Sequence, residues 1–439
     1  MSRVIRICAG LVVATGLTIG QIAVVMSEQS PPRNVQGIDK PVIVVTGEVA
    51  GNETWTANNY YVLRGAVFVR NAATLNIQPG TRIIGEAGSV GTLIVQRGGR
   101  LNAIGTREQP IVFTSDQPIG ARGRGDWGGI IINGRAPVNI PGGEGVGEAD
   151  TGVYGGNDPN DNSGTIRYVR VEFAGVEFSP DNELNGIAFQ GVGRGTTVDH
   201  VQIHMNRDDG LELFGGTVDI KYAVVSNAAD DSFDWTQGWS GRAQFIAVHQ
   251  KSDDGDWGIE ADNNEANHNF LPRAHPKIYN MTICGDPDTA DGGESFRAVL
   301  FRRGTAVTFR NFLVRARTLG MQLTDSATLE QVNNGTTQIG AGVMWGPASA
   351  AAIAPTAQSF INSGRFPDVR VGVDGGLSAN CFRHDSPDFR PTSIATLAGG
   401  QMSPILDQDP FFEPVSFIGA VPPPPDDDWT QGWTSYPQR

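Results

Sequence analysis

The sequence predicts an all-β solenoid, a superhelix of short strands, and three observations carry that reading. Acidic turns recur at one interval: Asp208-Asp209-Gly210-Leu211-Glu212, Asp230-Asp231-Ser232-Phe233-Asp234 and Asp253-Asp254-Gly255 are spaced by 22 and then 23 residues, the length of one solenoid coil. Runs of four to six β-branched and aromatic residues follow one another, each bounded by a Gly or Pro turn. Composition agrees, with 57 glycines and 26 prolines against only 18% charged residues, a turn-rich β composition.

In chain order, Arg3 and Arg6 precede an apolar run from Ile7 to Met26, which reads as an export signal over residues 1–29 or, without a clear cleavage site, a retained anchor of about 20 residues. Cys8 lies too early to be a lipoprotein acylation site. Residues 30–343 form the solenoid. Its first strands are Tyr61-Val62-Leu63, Ala66 to Val69, Ala73 to Ile77, Thr92 to Val95, Gly98 to Ala103 and Pro110 to Thr114. Leu75, Leu93 and Ile111 are spaced by 18 residues twice over, which suggests successive coils. After Trp127 to Gly134 a Gly-, Asn- and Asp-rich loop from Pro141 to Gly164 projects from one coil. Strands resume at Ile166 to Val171, Val198 to Ile203, Val218 to Ala223, Phe245 to Val248, Ile278 to Ile283 and Val307 to Phe312; six versions of one strand imply at least six coils. The long interval between Phe245 and Tyr279 predicts a second bulge carrying Asn263-Asn264 and Asn267-His268-Asn269.

Residues 344–439 lose the pattern. Ala348 to Ser363 and Thr392 to Leu397 predict short helices ended by Gly364 and Gly399, so a short helical or irregular C-terminal cap covers the open end of the solenoid. Asp428-Trp429-Thr430-Gln431-Gly432-Trp433 duplicates Asp234-Trp235-Thr236-Gln237-Gly238-Trp239 and is expected to pack the tail onto the body.

A net charge of −14 argues against a nucleic-acid partner, because no basic surplus displaces counterions from phosphates; it suits a soluble protein that holds cations, and a monomer is expected. The six histidines lack metal spacing: His200 and His204 are placed by alternation on one face, about 13 Å apart. The Gly-Gly pairs sit at solenoid corners rather than before a helix, so no nucleotide loop emerges. Cys284 and Cys381 form either one disulfide, as in an exported chain, or two buried thiols.

The acidic repeat is the candidate site. Strand alternation sends Glu212, Asp234 and Glu260 outward on one sheet face, and stacked like charges about 4.8 Å apart repel by about 0.9 kcal/mol even in water. Three readings follow. Asp208, Asp209, Asp230, Asp231, Asp253 and Asp254 supply hard oxygen ligands for Ca2+. Alternatively, Glu212, Asp234 and Glu260 act as general acid, base or nucleophile in polysaccharide cleavage, with Arg297 in the next coil as a lyase base or uronate partner. The structural alternative has the Asp pairs bonding backbone amides at turns, partnered by Arg207, Arg242 or Lys251. Trp235 points inward, with its N–H on a carbonyl.

Gly215 to Val218, Asp230 to Trp235, Glu260 with Asp262-Asn263-Asn264, and Asp428 to Trp433 resemble the motifs of a group of secreted bacterial right-handed parallel β-helix proteins in the pectin-lyase-like superfamily. The resemblance covers the chain from about Val42 and implies a right-handed parallel β-helix, exported to the periplasm or cell surface. The superfamily's lyases imply calcium-binding acids and a basic residue, and its hydrolases imply aspartates outside one sheet. This chain lacks the hydrolases' Gly-His-Gly and Arg-Ile-Lys. The resemblance is specific for fold and not for activity; with the acidic face, the expectation is a non-enzymatic surface, structural or carbohydrate-binding protein with calcium as its candidate ion, or else a polysaccharide lyase or glycoside hydrolase, with a polysaccharide or cell-surface glycan as partner; a membrane is met only through residues 1–29, if uncleaved.

Overall fold

Strands that stack in parallel must return to the same edge after each turn of the chain, and here they do so three at a time. The computed structural model describes residues 39–179, 182–251, 253, 255–286, 297–316, 318–346, 354–392 and 408–439. The expected leader over residues 1–29 and the helix expected at Thr392 to Leu397 lie outside these, apart from Thr392 itself. The chain winds as a right-handed parallel β-helix with three faces.

Face one stacks strands Asn52–Trp55, Thr74–Ile77 and Arg100–Ile104 and then the first halves of Gly164–Glu172, Thr197–His204, Asp219–Ser226, Arg242–Gln250, Lys277–Gly285, Thr308–Arg315 and Gln338–Trp345. The second halves of those long strands continue face two, which begins at residues 60–63, 82–85 and 111–115. Face three stacks residues 66–69, Thr92–Val95, Ile130–Asn133, Ile187–Gln190, Leu211–Phe214, Phe233–Thr236, Trp257–Ala261 and Arg297–Phe301.

The bend between faces one and two is made by a single residue in the left-handed region. Tyr168, His200, Tyr222, Phe245, Asn280, Asn311 and Ala341 all have φ between 49° and 61°, and the sheet register skips each of the first three. This corner explains why alternation misplaces the histidines: His200 leaves the strand, stacking between Tyr168 and Tyr222 with centroids 4.3 and 4.5 Å away. His204 continues on face two and is fully buried. Both are structural.

The 18-residue spacing is also reassigned. Leu75 pairs with Leu101, Leu93 with Ile130 and Ile111 with Val169, so those three residues lie on three different faces. The interval measured steps around the helix, and loops of unequal length between faces happened to equalise it. The 22-residue interval is a true coil, since Glu212 pairs with Asp234.

Inward columns form the core. On face three these are Leu93, Ile130, Ile187, Leu211, Phe233 and Ile259, then Val95, Ile132, Phe189, Leu213, Trp235 and Ala261, all within one buried cluster. Trp235 is core as expected, but its indole N–H donates to the Thr305 hydroxyl at 3.0 Å, not to a carbonyl. Helices Ser326–Asn333 and Pro355–Asn362 place Val332 and Ala357 against the last coils; only the second was legible in the sequence.

The tail covers a side of the solenoid as well as its end. The outer surface of face two is apolar, with Val224, Ala247, Cys284, Leu313 and Val343 buried beneath Cys381, Phe389, Ile418, Val421 and Trp433. Cys284 and Cys381 form a disulfide across 97 residues of sequence, worth up to about 4–5 kcal/mol on loop-closure grounds. Trp433, fully buried, meets Tyr168 and His200 edge-on at 5.7 and 5.8 Å, so the duplicated hexapeptide packs the tail as expected. Among the described residues no helix is long and apolar enough to cross a membrane.

Candidate functional site

One outward position of face three can be followed through seven successive strands. Phe68, Ile94, Ile131, Ala188, Glu212, Asp234 and Glu260 are in register. The early rungs are apolar, and Ile94, Ile131 and Ala188 are buried with Val138, Tyr154 and Leu184 from the inserted loops. The last three are acidic and open onto a cleft of about 630 Å³. The sequence switches from apolar to carboxylate where the covering loop stops.

Glu212, Asp234 and Glu260 therefore share one face, as alternation predicts. The Asp pairs beside them divide into two kinds. Asp209 and Asp231 are buried and act as rungs between coils: Asp209 Oδ1 accepts the Asp231 N–H at 2.9 Å, and Asp231 Oδ1 accepts the Trp257 N–H at 2.7 Å. Asp208 and Asp230 face the cleft. The third rung is not Asp253-Asp254. The coil that ends at Glu260 is longer, its extra residues bulge before Trp257, and Asp256 takes the position below Asp230, donating its N–H to the Asp230 carbonyl at 3.2 Å. Asp253 lies outside the column, paired with Arg124 at 3.1 Å and Lys251 at 2.8 Å, and Asp254 falls outside the described residues. Of the three basic partners expected, Lys251 alone meets an Asp of the repeat among the described residues; Arg207 pairs with Glu177 and Arg242 with Asp219.

Arg297 stands at the rim, 3.3 Å from Asp256 and over the Trp257 ring. The arginines that reach the column are Arg302 and Arg303, just past the end of the same strand. Arg302 pairs with Glu260 and with Asp262 at 2.9 Å, and Arg303 with Asp262 and Glu265, both at 2.8 Å. Glu148 and Glu183 close the other end. They come from the insertion after Pro141, where strands Glu144–Val146 and Val153–Gly155 pair, and from the hairpin Val176–Ser179 with Asn182–Leu184. The Asn182 side chain accepts the Ala149 N–H at 2.7 Å and ties the two together. Nothing in the local pattern of these loops marks Glu148 or Glu183. The double arginine after Phe301 was the readable signal for the basic end.

Arg302 and Arg303 offset the acids at one end of the cleft. Burial pushes Asp208 up to about 8, with Asp230, Glu183 and Glu148 adding to the shift. Glu148 rises to about 7 through burial and then Glu183. Asp209, Glu212, Asp231 and Asp234 lie well above the carboxylate range, through burial first and neighbouring carboxylates second. Glu260 reaches about 7, burial outweighing the opposing pull of Arg302.

The cleft has the chemistry of a hard-cation site. Three overlapping groups, Asp208/Asp209/Asp230, Asp209/Asp231/Asp234 and Asp230/Asp231/Asp256, each bring three carboxylate oxygens within 4.8 Å of one another. No histidine or cysteine lines the cleft, so its donors are hard oxygens of the kind calcium takes. Asp234 Oδ1 is buried without a hydrogen-bond partner, as is Oδ1 of Asn185, whose amide donates to Glu212. Unsatisfied acceptors of this kind call for a cation or a proton.

A family model described as a pectate-lyase-like beta helix domain matches residues 7–349. Among curated proteins and among solved structures nothing matches. The matched span takes in the stacked strands, the acidic column and both arginines that meet it, and the chain belongs to the pectate-lyase-like β-helix family.

Proposed function

We propose that this is an exported, periplasmic or cell-surface β-helix protein that binds calcium in the face-three cleft and a polysaccharide along the same face. The observation that carries the reading is the set of three overlapping carboxylate triads in a column whose basic partners are Arg297 at Asp256 and Arg302 at Glu260. Asp208, Asp230 and Asp256, at the surface of the column, and Asp234, with its unpartnered oxygen, would hold the ion. Bound calcium supplies positive charge that offsets the repulsion between rungs and attracts an acidic sugar to an otherwise acidic face. The half-buried apolar residue Ile140 gives a sugar ring a surface to lie on.

Binding of polygalacturonate and of a neutral glucan, each measured with calcium and with chelator, tests the reading. Retention of the acidic glycan only with calcium is expected; equal retention under chelator would contradict it. A second reading, polysaccharide lyase or glycoside hydrolase, is favoured by Glu260 titrating near 7 with Arg302 against it, a carboxyl tuned for proton transfer at neutral pH. Release of reducing or unsaturated ends that is lost in Glu260→Gln would support it.

A further inference from the structure

Several coils from the acidic cleft, on the outside of face two, a separate pocket of about 60 Å³ lies between the strands Arg82–Gly85 and Ile111–Ser115 and the segment running from Asp116 to Arg122. Arg82 and Arg122 both line it. The Arg82 Nε is buried without a hydrogen-bond partner, and neither guanidinium has an ion-pair partner among the described residues. Arg122 donates from Nε to the Gln117 carbonyl at 3.0 Å, which leaves its terminal nitrogens. Thr114, 1% exposed, also lines the pocket, and its hydroxyl is unpartnered as well.

The nearby carboxylates hold hydrogen bonds of their own, on one oxygen each, and among the described residues neither pairs with the two guanidinium groups. Asp116 accepts the Ala87 N–H at 3.2 Å and the Gln117 amide at 2.8 Å. Asp126 accepts the Ser115 hydroxyl at 2.5 Å and the Gly123 N–H at 3.0 Å. Tyr60, beside Arg82 in the sheet register, donates to Asp39 at 3.0 Å. Buried donors in folded proteins are almost always satisfied, and leaving a guanidinium nitrogen dry and unpaired is costly. Two guanidinium groups and one hydroxyl around a single small space form the complement of an oxyanion.

We propose that this pocket binds a tetrahedral oxyanion, sulfate or phosphate, either free or as an ester on a glycan. Such a group offers acceptors to all three donors and enough charge for two guanidinium ions, where a carboxylate neutralises only one. The space admits the oxyanion but not the sugar ring carrying it. An ester's ring would rest at the mouth, against Pro118 and Ile119, the latter 78% exposed.

Calorimetric titration of the full chain with sodium sulfate, sodium phosphate, sodium acetate and a sulfated galactose, in chloride buffer of matched ionic strength, tests this. One saturable site is expected for sulfate or phosphate, weakened about tenfold or more in Arg82→Gln and about threefold in Thr114→Val. The exposed-site control Arg365→Gln should bind as the parent does. Circular dichroism establishes that each variant is folded, and Arg122→Gln replaces Arg82→Gln if the latter is not. Tighter binding of the sulfated sugar identifies a glycan ester as the source, and tighter binding of the inorganic ions identifies a free anion. No saturable binding up to about 20 mM, acetate binding as tightly as sulfate, or undiminished binding in both arginine variants would overturn the proposal.

Discussion

On face one, Arg167, Asp199 and Lys221 occupy successive rungs of one outward column; on face three, Glu212, Asp234 and Glu260 do. The first column alternates in sign and the second does not. Burial works to raise Asp199, but hydrogen bonds from His200 and Arg167 outweigh it and hold the carboxyl below its usual range. Burial also raises Asp234, and there Glu260 and Asp262 reinforce it. The same fold thus builds a neutral ladder beside the docked tail and a strained acidic one where a cleft opens. Stability alone does not account for the second arrangement, because like charges in register oppose stacking.

Breaking the neutral side should have the largest effect. Trp433→Ala removes the ring that seats the tail on Tyr168 and His200 and should cost about 3–5 kcal/mol, read as a lower chemical-denaturation midpoint. Next comes the pH response of the acidic side. Asp208, Glu148 and Glu260 titrate at about 8, 7 and 7 in the folded protein, against 3.8, 4.5 and 4.5 for the free groups. The folded state therefore holds protons that the unfolded chain releases. Their stabilising contribution is complete below about pH 4 and is lost as pH rises through 7–8. Chelated protein should lose up to several kcal/mol between pH 5 and pH 8, less as solvent screens the groups, and Asp208→Asn with Glu148→Gln should flatten that slope. Asp199 runs the other way: its contribution is present above 3.8 and is lost as pH falls through its lower folded value. The smallest effect is expected at the exposed pair, where Arg167→Gln should cost less than about 1 kcal/mol in the same denaturation assay.

Much of the fold was legible because buried strands announce themselves as β-branched runs, and the coil length showed wherever turns were short. The 22-residue step from Glu212 to Asp234 is such a place. Where loops enter between faces, spacing misleads. Asp253-Asp254 carries the right residues at nearly the right interval, yet the bulge before Trp257 hands its rung to Asp256. The single-residue corner at His200 was equally silent, because a left-handed φ of 52° on a non-glycine residue leaves no local mark. Alternation found Glu212, Asp234 and Glu260, since it depends only on neighbours along a strand. Glu148 and Glu183 reach the cleft from inserted hairpins, and only the folded chain brings them there.

The acidic column's role as a cation site is tested most directly by calorimetric titration of calcium into chelator-treated protein at pH 7, beside the Asp208→Asn/Asp230→Asn double variant. Both side chains face the cleft, and neither is one of the amide-holding rungs Asp209 and Asp231. Saturable binding to the parent is expected, weakened at least about tenfold in the variant, with calcium at a hundredfold its Kd stabilising the parent by about 2.7 kcal/mol. A parent that takes up no calcium, or a folded variant that binds it as tightly, would contradict that role.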